Sequence, residues 1–571
     1  MIVFLLGCRK GAVMVKNKII TNTLIFIFII LFVNLFKTIF GPGNVLIGVT
    51  IITMALVLME VDLTIMPVDN FLKILFLNLF SLVFSVLSIQ NVWIGIILNF
   101  IGLFIIGYFL SGNLKKSMVI PFGLQYFFMI FYPVEGRDLI NRFLALIAGT
   151  IFIMITQFIV NKDKVIKTGA KVINNISNNI LNKIIAIQKN ESFGKENFAI
   201  TESINYLKRV IYDKRVDNYY LTKDGILTTD ILWALERINL LLDNISELEN
   251  RDDYSDLLND VYSEVEIIKD RNLSLEDIDK IRSHINNEKV RDEYVNEFVD
   301  IMTILYNKVE SIDIIDNKER NNIRKECEIP HHFNKIFVHK RNLKIDSAKV
   351  RYAIRLAIVG SFTVFIAKLF NLSEGRWMCF TIFSLIQPYS EVSNNRVKDR
   401  VIATIIGGII VLLSFSVIRN QAARSAIILL AGYSDSYSRN YREKMICVTV
   451  SAVASAAMAG GTIELVGKRI LFVLIGASLT LLANKFIFPY KIDDMKKYLI
   501  ETYNSLIKQM KYDIKEDHND YSVRNLYLIT GFIDDKMKLS MESAEEEKNN
   551  FIKNNRIRVN DIYKSLVEIK N

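Results

Sequence analysis

Hydrophobic and polar positions are separated into long blocks along the chain. Apolar residues fill roughly 19–160 and 350–489, whereas 161–349 and 490–571 are rich in Lys, Glu, Asp and Asn. An apolar run of about 20 residues spans the hydrocarbon core of a bilayer, and it must be helical because every backbone polar group has to be satisfied within the segment. The pattern therefore predicts an all-α, polytopic membrane protein with two hydrophobic blocks.

Each block divides into six predicted spans. In the first block the spans lie near 19–40, 45–59, 71–90, 92–110, 118–132 and 139–160. In the second block they lie near 350–370, 377–388, 401–418, 422–437, 444–461 and 469–489. Span 10 is the weakest, since its apolar run 426–433 is followed by a polar 434–436. Charge asymmetry supports it, because the basic clusters of both blocks fall on the cytoplasmic side only if each block has six spans.

The same asymmetry orients the chain and sets its domains. We expect 1–18 to be a cytoplasmic N-terminus, with 1–13 an upstream extension before a start at Met14. The first transmembrane block is 19–160, the cytoplasmic helical domain is 161–349, the second transmembrane block is 350–489, and the cytoplasmic helical C-terminal region is 490–571. The sequence thus predicts a multi-pass protein of a bacterial inner (plasma) membrane, with both termini in the cytoplasm.

The polar middle segment is predicted to be helical. A single apolar stripe recurs at intervals of three and four residues, as expected of a helix packed on one side: Ile231, Leu235, Ile238, Leu242, Ile245 and Leu248. We expect these helices to pack as a bundle with 490–571 and to mediate homo-oligomer formation. Span 11 and its neighbour are rich in small residues, which let helix backbones approach closely in lipid, so spans 10 and 11 are expected inside the membrane bundle.

An internal repeat relates the two blocks. Gly149 and Gly476 each follow a basic residue by seven positions within an apolar helix. Two pairs of basic residues share one offset, since 469 − 142 = 327 and 400 − 73 = 327: Arg142 with Arg469, and Lys73 with Arg400. Because each block has an even number of spans, the repeat is predicted to be parallel, with its axis along the membrane normal.

The second block carries a set of motifs in a characteristic order. They are Arg351-x-x-x-Arg355 at the start of span 7, Gly375-Arg376-Trp377, Gln387-Pro388 at a span end, and Arg396-Val-Lys-Asp-Arg400 before Gly407-Gly408. This order resembles the fusaric acid resistance and aromatic acid exporter superfamily, the FUSC-like proteins of the inner membrane. The resemblance implies efflux or conductance of organic, often aromatic, carboxylates. It covers mainly the second block, whereas the first block matches by topology and the Arg142/Gly149 element.

Eight residues are candidates for binding such an anion: Arg351, Arg355, Lys73, Arg400, Arg142, Arg469, Trp377 and Gln387. Cationic side chains attract carboxylates, and arginine binds them through two parallel hydrogen bonds. Structural roles compete with this interpretation. The arginines that open span 7 could anchor lipid headgroups, and the two on the outer side could pair with Asp138 and Glu464.

Other function classes have little support. The net charge of +10 lies largely at span ends, where lipid and insertion polarity explain it, so no nucleic-acid partner is expected. Four scattered cysteines form no CxxC pair, and a cluster of residues fits no standard zinc spacing: Cys327, His331, His332 and His339. We therefore expect no metal and no cofactor. The chain has no Walker A loop and no catalytic constellation, so it is not expected to be an enzyme.

Energy coupling stays open at this point. No acidic residue lies deep in any predicted span, so an obvious proton relay is missing. Either conductance is passive, or coupling uses peripheral carboxylates such as Glu60, Asp62, Asp399 and Asp435. The leading hypothesis is an exporter or channel for organic anions across the plasma membrane. The alternative is a membrane-anchored helical scaffold without transport activity.

Overall fold

The computed structural model describes residues 2–59, 63–64, 66–111, 118–161, 164–217, 219–248, 251–270, 293–314, 328–330, 333, 347–458, 461–516, 519–540 and 545–568. Within these ranges the chain forms twenty α-helices and two 3-10 turns, at Pro42–Asn44 and Arg251–Tyr254. The described residues contain no β-strand beyond a single bridge between Val216 and Tyr220. The all-α prediction is therefore confirmed for this part of the chain.

The chain divides into two compact units. The first consists of Met1–Leu63, Pro67–Ile159 and His339–Ile492, and the second of Thr64–Met66, Val160–Val338 and Asp493–Asn571. The first block of the first unit has helices α1 Ile2–Phe40, α2 Val45–Leu58, α3 Pro67–Gln90, α4 Val92–Leu110, α5 Val119–Phe131 and α6 Arg137–Asn161. Its second block has α12 Ala348–Leu369, α13 Arg376–Leu385, α14 Ser390–Val417, α15 Gln421–Asp435, α16 Tyr441–Ala457 and α17 Thr462–Phe486.

Each predicted span coincides with a helix of its own. Among the described helices, seven are long and apolar enough to cross a membrane: Ile19–Phe40 of α1, α3, α4, α6, α12, α14 and α17. The segments Pro42–Leu58 and Val119–Phe131 are apolar but shorter. The protein is therefore a multi-pass membrane protein by helix length and composition, and the count of six spans in each block remains a prediction.

Short polar residues set several of the helix boundaries. The side chains of Asn91, Asn420 and Asn440 accept hydrogen bonds from free backbone N–H groups at the starts of α4, α15 and α16. Such caps satisfy donors that have no partner within the helix. Gly41 and Gly461, with φ of 85° and 70°, lie in the left-handed region just before a helical segment begins, a conformation that glycine adopts at little cost.

One large apolar core joins the first block to α12 and α13. Helix α4 lies close to α12, since a Cβ added at Gly107 would lie 3.2 Å from Ala353 Cα. Helix α13 packs on α5 through a side chain, because the ring of Phe383 occupies the space that a side chain at Gly123 would need. Glycines at these positions let the backbones approach closely, which is how helices gain packing energy in lipid.

A second, smaller core lies among α14, α15, α16 and α17. Helix α16 buries a face of small residues there, including Ala454 and Ala457. The expectation that span 10 also lies inside the bundle is wrong, because Ala431 is the one residue of α15 that is buried and Leu430 is 63% exposed. The end of α15 contacts the start of the apolar part of α1, where Thr23 Oγ1 lies 2.9 Å from Tyr433 Oη.

The second unit is a helical bundle built around α9. Its helices are α7 Lys164–Gln188, α8 Gly194–Asp213, α9 Lys223–Ser246, α10 Ser255–Asp270, α11 Glu293–Ile314, α18 Ile492–Lys515, α19 Asp520–Ser540 and α20 Glu545–Glu568. The predicted apolar stripe from Ile231 to Ile245 is buried. The opposite face of α9 is buried as well, including Asp230 and Glu236, so α9 is the central helix and not a helix packed on one side.

Buried ion pairs join the C-terminal helices to the middle segment. The Arg524 guanidinium donates two hydrogen bonds of 3.1 Å to the Asp230 carboxylate, and Arg556 Nε lies 3.8 Å from Glu236 Oε1. Trp233 Nε1 donates to the backbone carbonyl of Asn560 at 3.1 Å. Because a buried charge is costly without its partner, α19 and α20 are integral parts of this bundle.

A buried cationic site in the second block

Arg469 is the central residue of the candidate site. It lies two turns after the start of α17, and its side chain is 1% exposed. Its guanidinium carbon lies 3.7 Å from the ring centroid of Trp377. None of its Nε, Nη1 and Nη2 atoms has a hydrogen-bond partner among the described residues. A buried guanidinium normally has its donors satisfied by carboxylates or carbonyls, so Arg469 lacks a hydrogen-bonded counterion within the described part of the chain.

The carboxylate of Glu374, whose charge acts on Arg469, is hydrogen-bonded to other residues. Glu374 accepts hydrogen bonds from Arg376 Nη2, at 2.8 and 3.0 Å, and from Trp377 Nε1, at 2.5 Å. The predicted pair between Arg469 and Glu464 is wrong, because Glu464 pairs with Lys468 at 2.5 Å. Three charged groups act electrostatically on Arg469: the cations Arg400 and Arg376, and the anion Glu374. The surroundings of the guanidinium are therefore net positive.

Arg400 is a second buried cation without an acidic partner in the described structure. It is 4% exposed; its Nη1 contacts the sulfur of Met445, and its Nε has no hydrogen-bond partner. Helix α14 begins at Ser390, so Arg400 lies about 15 Å along the helix at 1.5 Å per residue. It is therefore buried among the helices of the second block, almost three turns after the start of α14. Helices α14 and α17 are in close contact about two turns further on, since a Cβ at Gly408 would lie 2.9 Å from Val466.

The arginines that open α12 have protein partners. Arg355 is buried and donates to Pro388 O and Asn484 Oδ1, both at 3.1 Å. Arg351 donates to Pro489 O at 3.0 Å. Gln387, next to the turn into α14, donates to Ile386 O at 2.9 Å. These residues hold the α13–α14 connection and the end of α17 in place, although Arg355 Nε has no partner among the described residues.

The equivalent residues of the first block differ in a consistent way. Arg142 is buried, and each of its three side-chain nitrogen atoms donates a hydrogen bond. The acceptors are Asn44 Oδ1 at 2.8 Å and the carbonyls of Gly43 and Tyr132 at 3.0 Å. Lys73 is exposed. The first block therefore holds its arginine with neutral acceptors, whereas the second block leaves Arg469 unsatisfied.

The offset of 327 recurs in the packing of the two blocks. A Cβ added at Gly149 would contact Ile51, and one added at Gly476 would lie 3.0 Å from the Met378 carbonyl. These contacted residues are again related by 378 − 51 = 327. The ends of α2 and α13, at Leu58 and Leu385, show the same difference, so the sequence repeat extends to helix ends and to the close contact at the glycine.

The sequence analysis missed two polar groups, one beside Gly476 and one beside Gly407. The hydroxyls of Thr381 on α13 and Thr449 on α16 are buried without a hydrogen-bond partner in the described part of the chain. A Cβ added at Gly476 would lie 3.1 Å from Thr381, and one added at Gly407 would lie 2.8 Å from Thr449. A threonine within an apolar helix is common in membrane proteins, so the sequence offered no signal for either.

The peripheral carboxylates are placed as follows. Asp399 pairs with Arg442 at 2.7 Å, and Asp435 has one buried oxygen, Oδ1, without a hydrogen-bond partner among the described residues. Several residues named above lie outside the described ranges: Glu60, Asp62, Cys327, His331, His332 and His339. Within those ranges, no group of three His, Cys, Asp or Glu side chains is arranged to hold a metal ion.

The helices and their buried cations define a multi-pass helical membrane protein with a charged site in its second block. Residues 362–483 match the family described as fusaric acid resistance protein-like. The predicted resemblance to this family is thereby confirmed, and the matched region contains Trp377, Gln387, Arg400 and Arg469.

Two curated relatives are similar to parts of the chain. Inner membrane protein YccS of Escherichia coli (strain K12) is 23% identical over 176 residues, 30% of this chain and 24% of that protein. Uncharacterized protein ORF2 of Neisseria gonorrhoeae is 26% identical over 150 residues, 26% of this chain and 36% of that protein. The chain thus covers about a quarter and about a third of the length of these relatives. No solved structure matches the chain significantly.

Proposed function

We propose that the protein exports organic carboxylate anions, aromatic ones included, across the inner membrane, with Arg469 and Arg400 as the cationic contacts of the anion. The observation that carries this proposal is the set of three unpartnered nitrogen atoms on the buried Arg469. A cation in this position is costly unless an anion arrives, so an anionic ligand supplies the missing charge and acceptors.

The geometry of Arg469 suits a carboxylate. One face of the guanidinium lies on the Trp377 ring, and cation–π stacking on tryptophan is favourable. The stacking fixes the guanidinium plane, so the N–H groups remain available at its edge. An edge of this kind binds the two oxygens of a carboxylate through parallel hydrogen bonds. The field of Arg400 adds to the attraction.

Flux through proteoliposomes tests the proposal. Purified protein would be reconstituted, and the release of benzoate, or of the less membrane-permeant phthalate, would be followed at pH 7.5 with and without a proton gradient. We expect flux above that of protein-free vesicles, and we expect Arg469→Gln to lower it at least tenfold. Arg442→Gln is the matched control, because Arg442 is half exposed and pairs with Asp399 at the surface, so its loss should leave flux unchanged.

The comparison of the two variants and the comparison with and without a proton gradient separate the competing explanations. An equal loss of flux in both variants would mean that only general positive charge matters. Flux that depends on the proton gradient would indicate coupling, and flux that ignores it would indicate passive conductance. Wild-type protein that is folded and gives no flux would support the alternative, a membrane-anchored helical scaffold.

A further inference from the structure

A buried stripe of three polar residues and one glycine runs along one face of α17. Its members recur at intervals of seven, four and four residues, which places them on the same side of a helix: Arg469, Gly476, Thr480 and Asn484. All are buried. At 1.5 Å per residue the stripe from Arg469 to Asn484 is about 22 Å long, most of the thickness of a hydrocarbon core.

A guanidinium lies at each end of this stripe. Arg469 marks one end, stacked on Trp377. At the other end Asn484 accepts a hydrogen bond of 3.1 Å from Arg355. Both arginines retain buried nitrogen atoms without a partner among the described residues, three on Arg469 and Nε on Arg355. The stripe thus connects two cations through the interior of the second block.

Helix α13 covers the stripe and adds a hydroxyl in its middle. Thr381 lies one turn after Trp377 on α13, and a Cβ added at Gly476 would lie 3.1 Å from it. The Thr381 side chain is fully buried, and its hydroxyl has no hydrogen-bond partner in the described structure. An unsatisfied buried hydroxyl destabilises a fold, and in a native protein such a group calls for an explanation.

We propose that the anion moves along the seam between α13 and α17, and that the Thr381 hydroxyl donates a hydrogen bond to it between Arg469 and Arg355. This inference rests on the proposed function, of which it specifies the route. Passage requires α13 to move away from α17, since the two helices are in close contact at Gly476. The hydroxyl then supplies a donor at the midpoint, where the helices offer the anion no cation of their own.

The substitution Thr381→Val tests the route because it keeps the shape of the side chain and removes the hydroxyl. We expect flux of benzoate to fall about two- to tenfold, the effect of one hydrogen bond, with an unchanged or higher midpoint of thermal unfolding. Thr363→Val is the matched control. Thr363 on α12 is equally buried, but its hydroxyl donates to Val359 O at 2.6 Å, so its loss should leave flux unchanged and lower the unfolding midpoint slightly.

Each outcome decides the matter. Normal flux in Thr381→Val, while Arg469→Gln has lost it, overturns the route and leaves the proposed function standing. Equal losses in Thr381→Val and Thr363→Val would also overturn it, since any buried threonine would then matter. If the wild type gives no flux, anion binding is measured by the rise of the unfolding midpoint with benzoate. A wild type that shows neither flux nor such a rise overturns both proposals.

Discussion

Arg142 and Arg469 occupy related positions, but their replacement by methionine should affect stability differently: Arg142→Met should lower it, and Arg469→Met should leave it unchanged or raise it. Arg142→Met removes three hydrogen bonds and leaves Asn44 Oδ1 and two backbone carbonyls without their donor. The expected cost lies between about 2 kcal/mol, for three bonds at the average of about 0.6 kcal/mol measured in membrane proteins, and about 5 kcal/mol, the upper value for breaking a buried charged contact.

Arg469→Met removes no hydrogen bond within the described structure. It loses the stacking on Trp377, about 0.5–2 kcal/mol, and it removes an unpaired buried cation whose desolvation costs several kcal/mol. The net expectation is an unchanged or higher stability. Methionine suits both sites because it is flexible and of similar length, so it fills the space left by the guanidinium stem.

The assay is the unfolding midpoint of each purified variant in one detergent, together with its abundance in the membrane. Arg142→Met should unfold several degrees below the wild type and accumulate poorly. Arg469→Met should match or exceed the wild type in both measurements while losing anion flux. If Arg469→Met is destabilised as much as Arg142→Met, the guanidinium of Arg469 has structural partners, and the reasoning from an unpaired cation is refuted.

Three further outcomes are expected. Arg400→Gln should lose benzoate flux at normal abundance, whereas Arg400→Lys should keep part of it; full activity of both variants would make Arg400 dispensable for anion contact. In a cysteine-free background, Lys195→Cys in the second unit should react slowly with an impermeant thiol reagent in intact cells, because that unit is predicted to be cytoplasmic; rapid labelling would contradict this topology. Burial raises the pKa of Glu236, but the charges of Lys208 and Arg556 outweigh it, so the pKa lies below its ordinary value. Its stabilising contribution is therefore present above the ordinary carboxyl pKa of about 4.3 and lost as the pH falls through the lowered pKa. The unfolding midpoints of wild type and Glu236→Gln should therefore converge as the pH is lowered below that pKa; a constant difference would contradict this.

Helix positions could be predicted from sequence because they depend on local features. The apolar runs and the polar or glycine- and proline-containing segments between them predicted the positions of the helices, and asparagine caps such as Asn91 and Asn420 lie at the boundaries. The burial of an individual side chain was harder to predict from the sequence. Arg400 follows a charged segment, which is typical of an exposed position, yet its side chain is buried among the helices of the second block.

Side-chain partners could not be predicted, because they depend on tertiary packing. Glu464 is five residues from Arg469 but four from Lys468, and positions four apart face each other on a helix, so Lys468 takes the carboxylate. The partners of Arg142 come from the α1–α2 connection and the end of α5. The second buried face of α9 was missed for the same reason, since Asp230 and Glu236 have ion-pair partners, Arg524 and Arg556, near the far end of the chain.

The composition of the second unit also constrains how the protein is made. A ribosome synthesises α9 some 280 residues before α19, and the whole second membrane block is translated and inserted in between. During that interval Asp230 lacks Arg524, and Glu236 lacks Arg556. Glu236 is then paired with Lys208 alone, and Asp230 is an unpaired acidic group at a position that is later buried, which favours a loose, hydrated state until α19 and α20 emerge. Completion of this bundle therefore requires that the membrane block before α18 has been translated, and we expect a nascent chain that stops early to remain open to proteases.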